Sequence, residues 1–214
     1  FDADDDGVAE PVYYNGFRPG IDVHAPADIG DCGLHSQDGK PLTTTADFGP
    51  LGIGSMAARP IQGRAVMVDL AHHYGTDEQL ISFEEFSAVL AADNITVRPG
   101  DILLIHTGYA AKLIEMAGNP DPAVLHAYGA MLNGRDKQLL DWITDSQVAA
   151  IAADNNAVEQ YPAVAVEGPA AILPLHEHCL FKLGVPLGEL WHLTELAAYL
   201  RSVGRTACLL TAPP

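Results

Sequence analysis

Apolar residues follow two patterns along the chain, short continuous runs and longer stretches with helical spacing. Continuous runs are typical of buried strands, and recurrence every three to four residues is typical of amphipathic helices. The runs predict strands over 64–70, 101–107, 148–153 and 206–211. The spaced stretches predict helices over 83–93, 133–146, 175–183 and 193–203, with another starting at residue 110. Strands that alternate with helices indicate an α/β fold.

Local signals divide the chain near residue 60. Residues 1–60 are rich in Gly, Pro and Asp and show little periodicity, with a turn signal at Asn15-Gly16. Ser82, followed three residues later by Glu85, forms a capping box that marks the start of a helix. We therefore predict a single domain over 1–214, with an irregular N-terminal segment over 1–60 and an α/β body over 61–214.

The net charge of the chain limits the kinds of partner that it is expected to bind. The 28 acidic and 11 basic side chains give a formal charge of −17. Nucleic acids and anionic membranes are bound through Lys and Arg, so we expect neither as a partner and expect a small-molecule substrate instead. The acidic first residues lack the basic and apolar regions of a signal peptide. We expect a cytoplasmic protein, with prior removal of a targeting segment as the alternative.

Isolated cysteines and one strand histidine have simple structural interpretations. Cys32, Cys179 and Cys208 are odd in number and far apart, which favours free thiols over disulfides or a metal site. His106 lies within an apolar run. We expect a buried ring bonded to a backbone carbonyl, with a pocket role as the alternative, because α/β sites gather where strands end.

Two polar clusters are candidates for chemistry. His176 and His178 would face one side of an extended segment and share a metal ion, whereas in a helix they would diverge. Glu189 follows within the same Pro- and Gly-bounded unit, and a solvated helix end is the alternative for this cluster. The polar run from Asp154 to Glu159 follows an apolar run. It is either a cap or a pocket rim whose amides bond to a substrate.

Four blocks follow one another along the chain, RAVMVD, RPGDILLIHTG, AADNNAVE and PLHEHCLFKLGVPLGE. In this order they resemble the cyclase family of metal-dependent hydrolases, which includes kynurenine formamidases and isatin hydrolases, and the resemblance extends over residues 15–214. It implies a swivelling β/β/α domain with a mixed sheet and flanking helices. It also implies hydrolysis of an amide, lactam or ester bond of a small, often aromatic substrate by metal-activated water.

The resemblance also assigns site residues. His176 and Glu189 match metal ligands of the family, and Asp154, Asn155 and Glu159 match a segment beside the substrate pocket. The implied cofactor is a divalent ion, zinc or manganese. The family's HxGTHxDxPxH segment, which supplies most ligands and a catalytic histidine, is absent from this sequence, so no catalytic residue is assigned. We therefore expect either an internal stretch of a longer protein or a degenerate member.

The resemblance leaves three functions and an assembly state to be tested. The first is hydrolysis, and the second is a binding or scaffold protein of the same fold without catalytic activity. The third is a dehydratase or cyclising enzyme, as the family name suggests. Related enzymes form dimers and larger oligomers, so we expect a homodimer or higher homo-oligomer to which residues 1–60 contribute an interface.

Overall fold

The computed structural model describes residues 7–8, 12–13, 16–24, 29–35, 41–44 and 48–212. The predicted turn at Asn15 lies outside them. The chain divides into two compact units, one of Phe1–Ile61 with Thr211–Pro214 and one of Gln62–Leu210. The single domain over 1–214 therefore stays a prediction.

The described part of the N-terminal unit contains short elements. Strands β1 (Ile29–His35) and β2 (Pro41–Thr44) pair antiparallel. A 3-10 helix (Gly49–Leu51) and helix α1 (Gly54–Ala58) follow. These short pieces agree with the weak periodicity of the first sixty residues.

The main sheet has five strands in the order β8-β7-β5-β3-β9. Pairs β3–β5, β5–β7 and β7–β8 are parallel, and two short strands, β4 and β6, form a separate parallel pair. The strands of these two sheets are β3 (Ile61–Asp69), β4 (Gln79–Ile81), β5 (Ile102–His106), β6 (Ala130–Leu132), β7 (Ala150–Ala153), β8 (Leu187–Gly188) and β9 (Ala207–Ala212).

Helices occupy most of the connections between these strands. The helices are α2 (Leu70–Tyr74), α3 (Phe83–Ala92), α4 (Tyr109–Glu115), α5 (Pro122–His126), α6 (Lys137–Ser146), α7 (Pro174–His176), a π-helix (Glu177–Leu183) that continues α7, and α8 (Thr194–Ser202). The structure confirms the predicted capping box, since Ser82 Oγ accepts the N–H of Glu85 and Glu85 accepts the N–H of Ser82. No helix in the described ranges has the length and apolar character needed to cross a membrane.

The core lies between the main sheet and its helices. All residues of β5 and β7 are buried, as expected for parallel strands covered on both faces. Phe86 of α3 is fully buried and meets Trp142 of α6 edge-on, with ring centroids 5.1 Å apart. The α/β fold class with parallel and antiparallel strands and flanking helices is confirmed.

A long loop without regular secondary structure connects Gln160 to Leu173. Arg135 braces it, because its Nε donates to the carbonyl of Val164 at 3.1 Å and its Nη2 donates to that of Ala171 at 2.7 Å. Four apolar side chains of the loop are exposed to solvent, those of Tyr161, Val164, Val166 and Ile172.

Candidate functional site

Polar side chains collect where the parallel strands end. Asp69 ends β3, His106 ends β5, Asp154 follows β7 and Glu189 follows β8. The carboxyl ends of parallel strands lie at one edge of the sheet, where α/β proteins bind ligands. The sheet therefore brings residues from distant parts of the chain to one edge.

His176 lies between two carboxylates. Its Nδ1 donates to Glu159 Oε1 at 2.9 Å, and its Nε2 donates to Glu189 Oε1 at 3.0 Å. The structure thus brings together the two predicted ligands and one residue predicted for the pocket. The Glu159 side chain is fully buried, whereas the Glu189 side chain is about one-third exposed.

The chain around Glu189 is fixed by close packing against β7. Gly188 pairs with Ala152, and a Cβ on Gly188 would come within 2.8 Å of Trp191 Nε1 and 3.1 Å of Ala152 Cβ. Only glycine leaves the space for this approach. The N–H of Leu190 then donates to the carbonyl of Asn155 at 2.9 Å, so Glu189 stands on a segment held from both sides.

The two carboxylates favour the protonated form of the ring. The hydrogen bond to Glu159 is the largest influence and raises the pKa of His176, and the bond to Glu189 adds to it, while partial burial opposes both. A carboxylate accepts but does not donate, so the ring bridges both partners only when both of its nitrogens carry hydrogen.

His178 does not join this cluster. Residues 174–183 are helical, so His178 diverges from His176, and its Nε2 lies 2.8 Å from Thr144 Oγ1 on α6. The helical alternative is therefore the one that the structure shows, and a metal site shared by the two histidines is excluded.

Asp154 and Asn155 differ in their surroundings. Asp154 is fully buried and accepts from the N–H and hydroxyl of Thr107 and from the N–H of Gly108, at 2.6 to 2.8 Å. It therefore acts as a cap on the turn after β5. Asn155 is also buried, and it lines a cavity while its side chain accepts the N–H of Val158.

The cavity beside Asn155 has a volume of about 660 Å³. Three tyrosines and two further amide side chains lie in its wall, together with apolar residues of α5 and Met131. The wall residues with an aromatic ring or a side-chain amide are Tyr109, His126, Tyr128, Tyr161, Asn155, Asn156 and Gln160, and Glu78 adds a carboxylate. Neither this cavity nor a smaller one of about 240 Å³ beside Asp69 is lined by His176, Glu159 or Glu189.

Sequence reasoning missed the partners of His106. Its Nδ1 donates to Asp69 Oδ1 at 2.7 Å rather than to a backbone carbonyl, and its Nε2 lies 3.3 Å from Thr194 Oγ1. Burial lowers the pKa of His106, although the charge of Asp154, 3.9 Å from Nε2, opposes this. Arg201 contacts the second oxygen of Asp69. One sequence signal could have found this pair: Asp69 and His106 each end an apolar strand. The ends of adjacent parallel strands lie side by side, and here Asp69 pairs with His106.

The residues present fit a metal ion as two of its ligands. Two donor atoms that bind one ion at about 2.0–2.2 Å each stand roughly 3.0–3.5 Å apart, and His176 Nε2 and Glu189 Oε1 are 3.0 Å apart. The bond from Nδ1 to buried Glu159 is the type of contact that orients metal-binding histidines. Within the described ranges, no group of three or more His, Cys, Asp or Glu side chains is arranged to hold an ion.

Comparison with known proteins decides the family. The sequence model of the Cyclase family matches residues 25–160, more than half of the chain. The chain belongs to the Cyclase family. The match includes Asp154, Asn155 and Glu159 and ends before His176 and Glu189. The predicted resemblance is thereby confirmed, while the roles of the site residues stay predictions.

Two solved structures resemble the fold of this Cyclase-family chain. One is a crystal structure of a novel cyclase, with 27% identity, a TM-score of 0.57 and coverage of 84% of this chain and 58% of that one. The other is isatin hydrolase A from Labrenzia aggregata, with 13% identity, a TM-score of 0.50 and coverage of 72% and 54%. The chain thus spans little more than half the length of either structure. No curated protein matches the chain in sequence.

Proposed function

We propose that this Cyclase-family chain takes part in metal-dependent hydrolysis of an amide, lactam or ester bond in a small aromatic substrate. One observation supports this above the others: His176 Nε2 faces Glu189 while Nδ1 is bonded to buried Glu159. An imidazole and a carboxylate at this spacing suit zinc or manganese. The similarity in fold to a hydrolase agrees with the proposal.

In this proposal His176 and Glu189 hold the ion. The ion supplies Lewis acidity and makes hydroxide available near neutral pH. The negative charge of Glu189 offsets part of the positive charge of the ion. Because the Glu189 side chain is partly exposed, it can give up its hydrogen bond to His176 and bind the ion instead. His176 presents Nε2 once the ring is neutral, since Nδ1–H is engaged by Glu159.

The large cavity is the proposed place for the substrate. Its tyrosines offer aromatic faces, and its amide groups offer donors and acceptors. The backbone joins it to the candidate ligands, because Gln160 follows Glu159 and Leu190, next to Glu189, bonds to Asn155. Isatin hydrolase A is bound to benzyl benzoate, an aromatic ester, in its solved structure, and the substrate proposed here is of the same general class. A cytoplasmic location stays a prediction.

The test compares two histidines of one helix in the whole protein. We expect His176→Ala to lower hydrolysis of isatin and of an aryl formamide by more than about 100-fold, beyond the loss typical when a partner of a metal ligand is removed. His178→Ala is the matched control and should leave activity nearly intact, because His178 bonds only to Thr144 among the described contacts.

Other results would favour the alternatives. Unchanged hydrolysis in His176→Ala would refute the proposal at its central residue. Substrate binding without turnover, with no uptake of zinc or manganese, would favour a binding or scaffold protein. A product formed by loss of water from a linear hydroxy acid would favour a dehydratase or cyclising enzyme.

A further inference from the structure

Glu159 is a buried carboxylate that accepts three hydrogen bonds among the described contacts. Its Oε2 accepts the N–H of Leu175 at 3.0 Å, and its Oε1 accepts both the N–H and the Nδ1–H of His176 at 2.9 Å. It lines neither of the two cavities described above, and its place beside the substrate pocket, implied by the resemblance, stays a prediction. Two of its three hydrogen bonds come from His176, one from the backbone N–H and one from the ring.

Glu159 has the advantage over Glu189 in the competition for the ring proton. A neutral imidazole has one N–H, which goes to the better acceptor. Glu159 is held in place by two backbone donors and is shielded from water, whereas Glu189 is partly exposed and can be solvated. The neutral ring therefore keeps its hydrogen on Nδ1 and leaves the lone pair of Nε2 facing Glu189.

We infer that Glu159 is a positioning residue, which fixes the tautomer and orientation of His176 so that Nε2 is free to bind a metal ion. The metal part rests on the proposed function, but the tautomer part does not. Such partners of metal-binding histidines typically change metal affinity by about 10–100-fold when they are removed.

Gly134 provides an independent sign that Glu159 must stay in place. A Cβ on Gly134 would lie 1.9 Å from Glu159 Oε2 and 2.9 Å from Pro174 Cγ. Gly134 does not have a left-handed φ, so glycine is required here for space and not for backbone conformation. Gly134→Ala should thus displace Glu159 while keeping both carboxylates and His176.

The first test measures the tautomer directly, without metal. Nitrogen-15 NMR of the ring, at an alkaline pH where the imidazole is neutral, distinguishes Nδ1–H from Nε2–H, and loss of a signal in His176→Gln assigns it. We expect Nδ1–H in the wild type. We expect a shift towards Nε2–H in Glu159→Gln, because the amide can donate to Nδ1. A wild-type ring that is mainly Nε2–H would overturn the inference whether or not any variant folds.

The second test measures zinc affinity by competition with a coloured chelator. Glu159→Gln and Gly134→Ala should each bind zinc about 10–100-fold more weakly than the wild type. The controls are Glu177→Gln, which removes an exposed carboxylate of the same helix that pairs with Lys182, and Gly54→Ala, which adds a Cβ where nothing lies within 4 Å. Both controls should match the wild type.

The two tests separate the inference from the proposed function. If wild-type protein binds neither zinc nor manganese, the proposed function fails at this site, and the tautomer result alone decides the role of Glu159. If wild-type protein binds zinc and Glu159→Gln binds it equally well with an unchanged tautomer, the positioning role is wrong and the proposed function survives.

Discussion

His106 shows how burial and a carboxylate act in opposite directions on one side chain. The ring is nearly inaccessible, with Asp69 at Nδ1 and Thr194 and Asp154 near Nε2. Burial lowers its pKa below the ordinary value of 6.5 despite the charge of Asp154. A neutral ring satisfies the geometry, because Nδ1–H donates to Asp69 and Nε2 accepts from the Thr194 hydroxyl.

This lowered pKa predicts a loss of stability in acid. As pH falls below 6.5, the unfolded chain takes up a proton at residue 106 that the folded chain resists, so the free energy of unfolding decreases. His106→Gln should therefore show a shallower acid loss in urea titrations over a pH series. His126→Gln, at an exposed histidine, should follow the wild type. Equal slopes for wild type and His106→Gln would contradict the prediction.

The thiol of Cys179 should be unreactive towards alkylating reagents in the folded protein. Burial is the main cause that raises the pKa of its thiol to about 12, and the charge of Glu159 contributes. The reactive thiolate is therefore scarce. We expect iodoacetamide to leave Cys179 unmodified in native protein and to modify it fully in urea, as measured by peptide mass spectrometry. Native labelling of Cys179 as fast as in urea would show that the site is open to solvent.

The sequence anticipated some residue contacts and not others. His176 and Glu189 lie in one short bounded unit, so their contact followed from chain proximity. The bonds of Glu159 and Asp69 join residues that are distant along the chain. Strand register and a loop crossing determine such contacts, and neither leaves a local pattern of hydrophobicity.

Helix α3 depends on its capping box. Ser82 and Glu85 satisfy each other's backbone N–H groups, and the bond from the N–H of Ser82 is the main cause that lowers the pKa of Glu85. Ser82→Ala should lower the free energy of unfolding by about 1 kcal/mol, measured by urea denaturation. Ser87→Ala, within the same helix and bonded only to the carbonyl of Glu84 in the described contacts, should have a much smaller effect.

The stabilisation that Glu85 gives to the N-terminus of α3 should be lost in acid. Because the pKa of Glu85 is lowered on folding, its contribution is complete above the ordinary value of 4.5 and is lost as pH falls through the folded value. The difference in stability between wild type and Glu85→Ala, which removes the carboxylate, should therefore shrink below pH 4.5. A constant difference would show that the carboxylate of Glu85 does not contribute to the cap.

Elements with a continuous apolar run or several helical turns were predictable, and elements without them were not. The strands at 61–69 and 102–106 and the helices at 83–92 and 137–146 have enough apolar residues to reveal a period. Helix α2 has five residues and strands β4 and β6 have three each. Tertiary contacts fix such elements, and a pattern this short does not distinguish a strand from a helix.

At the scale of the whole molecule, the assembly state is still a prediction. We expect a homodimer or a higher homo-oligomer in which residues 1–60 contribute to the interface, because this segment shows little of the periodicity that builds a core. Light scattering at micromolar concentration should give a mass above that of one chain, and added salt should not weaken the assembly, since screening reduces repulsion between chains of charge −17. A stable monomer would contradict this expectation.

The bonds from Leu175 and His176 to Glu159 join the two ends of the long loop at its base. Arg135 holds the loop again at Val164 and Ala171. The part between these two residues can change in length at little cost, since doubling a flexible loop costs only about 0.6 kcal/mol. We therefore expect segments of other lengths between Val164 and Ala171 to be tolerated with His176 left in place. Since Tyr161 of this loop also forms part of the wall of the large cavity, changes of the loop should alter the shape of that cavity while the bonds of His176 to Glu159 and Glu189 stay as they are.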